Sequence, residues 1–148
     1  MKILLPIDGS AHALAAVHHA LALARAGLDA EMVLVNVQEP PSLYEVVTAH
    51  DTEVLEHVRT DAGADLLAPA EALLTAANLS WESEVAGGQP ETLLLELLEN
   101  YGCDAVVMGA RGVSDAEASS PGSVALALLA HSAVPVTLVR APVGDDAG

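Results

Sequence analysis

The segment GARGVSDAEASSPGS (109–123) places Gly109, Gly112, Gly122 and Ser123 in the spacing Gly-x2-Gly-x9-Gly-Ser, between an apolar run and a run that reads as a helix. Glycine reaches positive φ without strain and lets a ligand approach the main chain, and successive amides in such turns form concavities for anions. Gly109 and Gly112 can adopt positive φ in this way and bring their N–H groups close to a ligand. The pattern predicts a helix from about 121 to 132, with Ser120 as N-cap, Pro121 at the first helical position, and Gly122 and Ser123 in the first turn. A glycine inside a helix costs about 1 kcal/mol relative to alanine, so that placement calls for a reason beyond folding. Amides of a first turn have no intrahelical acceptor, and the helix dipole adds positive potential; both suit a phosphate.

Other chemistry-bearing residues form weaker constellations. His12, His18 and His19 fall on the first helical stretch, and His50, Glu53 and His57 have spacings that share a helical face. Without a third placed ligand these read as solvated surface rather than a metal centre. Cys103 is the sole cysteine, so it forms no internal disulfide, and its place beside DAVVM marks it as a small buried residue. No Gly-x-Ser-x-Gly elbow or nucleophile-base pair is evident, which leaves no hydrolase triad. Ser114, Ser119 and Ser120 are loop hydroxyls of a kind that can accept phosphate.

The elements that must carry the glycine loop follow from periodicity. KILLP (2–6), MVLVNV (32–37), SWESEVA (80–86), DAVVM (104–108) and VPVTLVR (134–140) read as strands. Helical stretches alternate with them: one from Ser10 to Gly27, with Leu14, Val17, Leu21 and Leu28 on its inner face; a long one from about 50 to 77, in which Gly63 and Pro69 are points where a break or kink can form; one opened by Pro90 and ended by Gly102. Residues 38–49, with Pro40 and Pro41, read as a connecting loop. Strand–helix alternation implies a single open five-stranded parallel sheet with helices on both faces. In a flavodoxin-like order the first and fourth strands are neighbours, so PIDGS and GARG flank the crevice where ligands bind, with Asp8 facing Gly109.

The whole-chain numbers bound the partners. A chain of 148 residues, 52% hydrophobic, suffices for one domain and asks for no second. Against 21 acidic residues stand Lys2, Arg25, Arg59, Arg111 and Arg140, a formal charge of −16 that repels nucleic acid and anionic membranes. No stretch reaches the roughly 18 apolar residues of a bilayer span, and MKILLPIDGS is a poor signal peptide, so a cytoplasmic protein is expected.

The glycine signature, with KILLPIDGS as opening strand, VLVNV as second, GGQP as a turn and SAVPVTLVR as closing strand, resembles the universal stress protein family over roughly residues 1–141. The resemblance implies one domain over 1–141 with a loose tail at 142–148, in the flavodoxin-like fold of the adenine nucleotide alpha hydrolases. From ATP-binding members it implies that Asp8 bonds the ribose and that Pro6 and the Val37 backbone hold adenine. Gly109, Gly112, Gly122 and Ser123 then surround the phosphates, with Val124 behind them, Arg111 in the loop and Met108 completing the set. On the residues alone Asp8 is equally a helix cap, Pro6 a strand end and Val37 plain core. Asp115 and Glu117 make the loop acidic, so the ATP expected there comes with Mg²⁺ or Mn²⁺ bridging its phosphates. The last strand, 135–140, is an edge that pairs with its copy in a homodimer. The implied function is nucleotide sensing in stress; the alternatives are a dimeric interaction module with a decayed site, or slow ATP hydrolysis or self-phosphorylation.

Overall fold

The computed structural model describes residues 1–39, 52–112 and 121–142. Its elements, in chain order, are β1 (Lys2–Pro6), α1 (Ala11–Arg25), β2 (Glu31–Gln38), α2 (Thr52–Ala76), β3 (Trp81–Gly87), α3 (Pro90–Tyr101), β4 (Ala105–Gly109), α4 (Ser123–His131) and β5 (Val136–Val139). The strands form one parallel sheet in the order β3-β2-β1-β4-β5. The chain winds outward from β1 to β3, then crosses to β4 on the other side of β1, so the order reverses between β1 and β4. At such a point the loops above adjacent strands diverge and leave a crevice at their carboxyl ends.

Alternation along β1 divides the core. Ile3 and Leu5 pack with Ala16, Val17, Ala20 and Leu21 of α1 and Leu67 and Leu74 of α2. Leu4 packs on the opposite face with Leu94, Leu97 and Leu98 of α3 and Leu128 of α4. Both faces of β1 and β2 are thus covered, which is why these strands are continuously apolar rather than alternating. Cys103 lies in the second cluster, and burial pushes its thiol pKa up.

Several expectations change in three dimensions. Val17 and Leu21 are buried as expected, but Leu14 is 38% exposed, because α1 lies on the sheet through Ala13, Ala16, Val17, Ala20 and Leu21. Small residues bring the helix axis close, and that rotates Leu14 outward. α2 runs unbroken through Gly63 and Pro69. Gly63 is a packing residue: a Cβ there would lie 2.5 Å from Val85 Cγ1 and 2.8 Å from Asn36 Oδ1. Pro90 opens α3 after the N-cap Gln89, and Gly102 closes it in the left-handed conformation (φ 65°). The residues of the 38–49 loop from Pro40 onward, His50 and the tail 143–148 lie outside the described residues.

Candidate functional site: a cleft at the β1–β4 switch

Above the reversal point lies a cleft of about 480 Å³. Its floor comes from the ends of β1 (Pro6, Ile7, Asp8), β2 (Val35, Val37) and β4 (Met108, Gly109); Arg111, Gly112 and the start of α4 (Gly122, Ser123, Val124) form one wall. The structure therefore brings Pro6, Asp8, Val37, Met108, Gly109, Arg111, Gly112, Gly122, Ser123 and Val124 to a single cavity.

The β1–α1 turn is built around Asp8. Gly9 takes φ +86°, which a side chain would resist, and a Cβ there would also meet Leu66 Cδ2 at 2.7 Å. The turn lets the Ser10 amide donate to Asp8 Oδ1 at 2.9 Å, while Ser10 Oγ caps α1 by accepting from the Ala13 amide at 3.1 Å. The cap of α1 is thus Ser10, and Asp8 is left exposed at the cleft with its carboxylate oriented by the main chain. Asn36, 2% exposed in an apolar strand, donates to the Ile7 carbonyl at 2.8 Å and accepts from Gln38 Nε2 at 2.7 Å. It fixes the main chain just before Asp8, and a lone asparagine inside VLVNV was the signal for it.

The glycine loop differs from expectation in instructive ways. Neither Gly109 nor Gly112 has positive φ. At Gly109 a Cβ would sit 2.7 Å from the His12 carbonyl carbon and 2.8 Å from the Ala13 nitrogen, so helix α1 itself requires the glycine. At Gly112 a Cβ would meet Asp8 Oδ2 at 2.8 Å, so this glycine lets the loop and the carboxylate share the rim. Helix α4 opens at Ser123, with Gly122 as an N-cap in extended conformation (φ −71°, ψ 170°), not inside the first turn. Glycine is well tolerated at that position, so no penalty needs explaining. The Gly122 amide is also taken: it donates to the Ala110 carbonyl at 2.9 Å, pinning the start of α4 to the end of β4. The amides of Ser123, Val124 and Ala125 are the first-turn donors without intrahelical acceptors. Ser114, Asp115, Glu117, Ser119 and Ser120 lie outside the described residues.

Electrostatically the cleft is mixed. Asp8, Glu39 and Glu91 line it, and Arg111 is its cation. The Arg111 Nε is buried without a hydrogen bond, and its Nη2 lies 3.3 Å from His12 Nε2. His12 was expected at the surface with His18 but is 6% exposed. Position 12 faces the sheet at the first turn of α1, which the histidine spacing alone did not distinguish. Among the described residues no group of three or more His, Cys, Asp or Glu could hold a metal ion, and no helix is long and apolar enough to cross a membrane.

Residues 1–140 match the sequence pattern of the Universal stress protein family. The chain belongs to the universal stress protein family. It is 26% identical over 141 residues to Universal stress protein MJ0531 of Methanocaldococcus jannaschii, covering 95% of this chain and 82% of that relative. Its fold is similar to the solved structure of the protein MJ0577, with a TM-score of 0.80, 23% identity and 94% of each chain covered. A universal stress protein of Arabidopsis thaliana, solved with AMP bound, superposes with a TM-score of 0.70 at 16% identity, covering 98% of this chain and 94% of that one. The family and these neighbours agree with the five-stranded parallel sheet expected from the sequence.

Proposed function

We propose that the cleft binds an adenine nucleotide, ATP in the first instance, and that the protein acts as a nucleotide-sensing binder of the stress response. The observation that carries this reading is Arg111, whose Nε is buried without a hydrogen bond and which lines the same cavity as the first turn of α4. Buried donors are ordinarily satisfied, and an unsatisfied cationic one beside a helix N-terminus fits an anionic group. Pro6, Val35, Val37 and Leu94 give the cleft apolar lining that suits a flat base. Asp8, which lines the cleft and is already oriented by the Ser10 amide, is the ribose acceptor of this reading. The AMP-bound neighbour supports an adenine ligand for this fold.

Mg²⁺ or Mn²⁺ belongs to the same proposal. With Asp8, Glu39 and Glu91 lining the cleft, a triphosphate meets more negative than positive charge, and a divalent ion carried on its phosphates reduces that repulsion. The three carboxylates also favour a second reading, a dimeric interaction module whose nucleotide site has decayed. In either case β5 lies at the edge of the sheet among the described residues, and this favours a homodimer through 135–140; the proposed setting is the cytoplasm.

Equilibrium dialysis with labelled ATP and MgCl₂ tests the reading, and thermal unfolding with and without ATP separates the two alternatives, since a ligand that binds the folded state raises the midpoint. Retention with a raised midpoint is expected. No retention at millimolar ATP refutes nucleotide binding and leaves the interaction module. A monomer mass in light scattering at micromolar concentration refutes the dimer.

A further inference from the structure

We propose that His12 is a positioning residue that keeps Arg111 available to the anionic part of the ligand, and so sets the preference of the cleft for charged nucleotides over the uncharged nucleoside. The inference rests on the nucleotide reading above. His12 Nδ1 accepts a hydrogen bond from the Ala141 amide at 2.8 Å, which requires a lone pair on that nitrogen. The imidazole is then neutral with its proton on Nε2. Nε2 lies 3.3 Å from Arg111 Nη2, and a guanidinium has only donors. Two donors face each other with no lone pair between them, so the contact occupies space without retaining the arginine.

The consequence is a half-buried cation that gives up no side-chain acceptor when a phosphate arrives. Arg111 Nε is likewise without a partner, and no acidic side chain among the described residues pairs with the guanidinium. A carboxylate, an amide oxygen or the other imidazole tautomer at position 12 would accept from Arg111 and compete with the ligand for it. The tautomer is selected from outside the cleft, by a main-chain N–H just past β5. His12 itself, 6% exposed, lies behind Arg111 and does not line the cavity.

The test is calorimetric titration of the full chain with ATP, AMP and adenosine, each with MgCl₂, for wild type, His12→Gln, Ala141→Pro and Arg111→Gln. His12→Gln supplies an oxygen that captures Arg111; Ala141→Pro removes the N–H and frees the ring to turn its lone pair toward Arg111 without altering the cleft. Each is expected to weaken ATP and AMP about five- to tenfold, the scale of one charge-assisted hydrogen bond, and to leave adenosine unchanged. Neither is expected to add to the loss in an Arg111→Gln background. An ATP-to-adenosine ratio within about twofold of wild type, an equal loss for all three ligands, or additivity with Arg111→Gln overturns the proposal. Long-range ¹H–¹⁵N spectra of the wild type give a check that needs no variant: a proton on Nε2 is expected, and one on Nδ1 overturns it. If wild type binds none of the three ligands, the nucleotide reading itself falls and takes this one with it.

Discussion

Two glycines of the signature are predicted to fail in opposite ways when given a methyl group. In Gly109→Ala the new Cβ would stand 2.7 Å from the His12 carbonyl carbon, 2.8 Å from the Ala13 nitrogen and 2.9 Å from His12 Cβ. Two of these are main-chain atoms of α1, so relief requires moving the helix off β4, and overpacking of this kind costs about 1–3 kcal/mol. Replacing glycine also stiffens the unfolded chain, which returns about 0.4–1 kcal/mol. The balance is a loss of about 1–2 kcal/mol, or roughly 3–8 °C in melting temperature for a chain of this size. In Gly112→Ala the one close atom among the described residues is Asp8 Oδ2 at 2.8 Å, the far end of a side chain that can rotate. That relief is cheap for the fold, and the melting temperature is expected within about 2 °C of wild type. It turns Asp8 away from its place at the rim, so the rise in midpoint that ATP produces is expected to shrink by about half or more. Circular dichroism melts with and without ATP and MgCl₂ measure both quantities. If Gly109→Ala melts with wild type, or if Gly112→Ala destabilises as much as Gly109→Ala, the division of the signature into a packing glycine and a site glycine is wrong.

Gly63→Ala should lower the urea midpoint although alanine is the better helix former by about 1 kcal/mol, because the methyl would sit 2.5 Å from Val85 Cγ1; an unchanged or raised midpoint would show that α2 can shift freely. The Tyr101 hydroxyl donates to Glu84 Oε1 at 2.5 Å, and this bond, with burial and the negative charge nearby, raises its pKa from 10.0 to about 12. The folded state then holds a proton that the unfolded state releases, so this contribution is complete below pH 10 and is lost as pH rises toward 12; Tyr101→Phe should remove that part of the alkaline slope in pH-dependent denaturation. With a formal charge of −16, the protein should repel ATP at low ionic strength. Raising salt from about 10 to 150 mM should therefore tighten ATP binding relative to adenosine, because distant carboxylates are screened beyond about 8–10 Å while the Arg111 contact is screened less; a monotonic weakening would show that repulsion by the net charge does not govern ATP binding.

Much of the fold was legible because the period of the apolar residues changes sharply between elements. KILLP and DAVVM are too short for buried helices and too continuous for half-exposed strands, which leaves only the centre of a parallel sheet, and β1 and β4 are adjacent there. Pro90 and Gly102 marked the ends of α3 because each residue type has one natural place at a helix terminus. The misread positions depend on distances between elements. Leu14 turns outward because α1 approaches through alanines, and Gly63 sits in a continuous helix because Asn36 and Val85 leave no room for a methyl. Neither spacing nor propensity carries that information.

The site shows the same limit more sharply. All the candidate residues converge on one cleft, yet the reasons first attached to them do not all survive. Glycine appears in a signature whenever a Cβ is excluded, and the sequence does not say by what. At Gly109 the excluding atoms belong to the backbone of α1, at Gly112 to the Asp8 carboxylate, and at Gly122 an N-cap position accepts glycine without strain while its amide is spent on Ala110. The anion-seeking features lie instead in the amides that follow Gly122 and in Arg111. What leaves Arg111 unpaired is a histidine from another element, oriented by the amide of a residue near the end of the described chain. Positions 12, 111 and 141 are adjacent only after the sheet has formed. A pattern confined to the loop therefore finds where the ligand belongs but not which group is held ready for it.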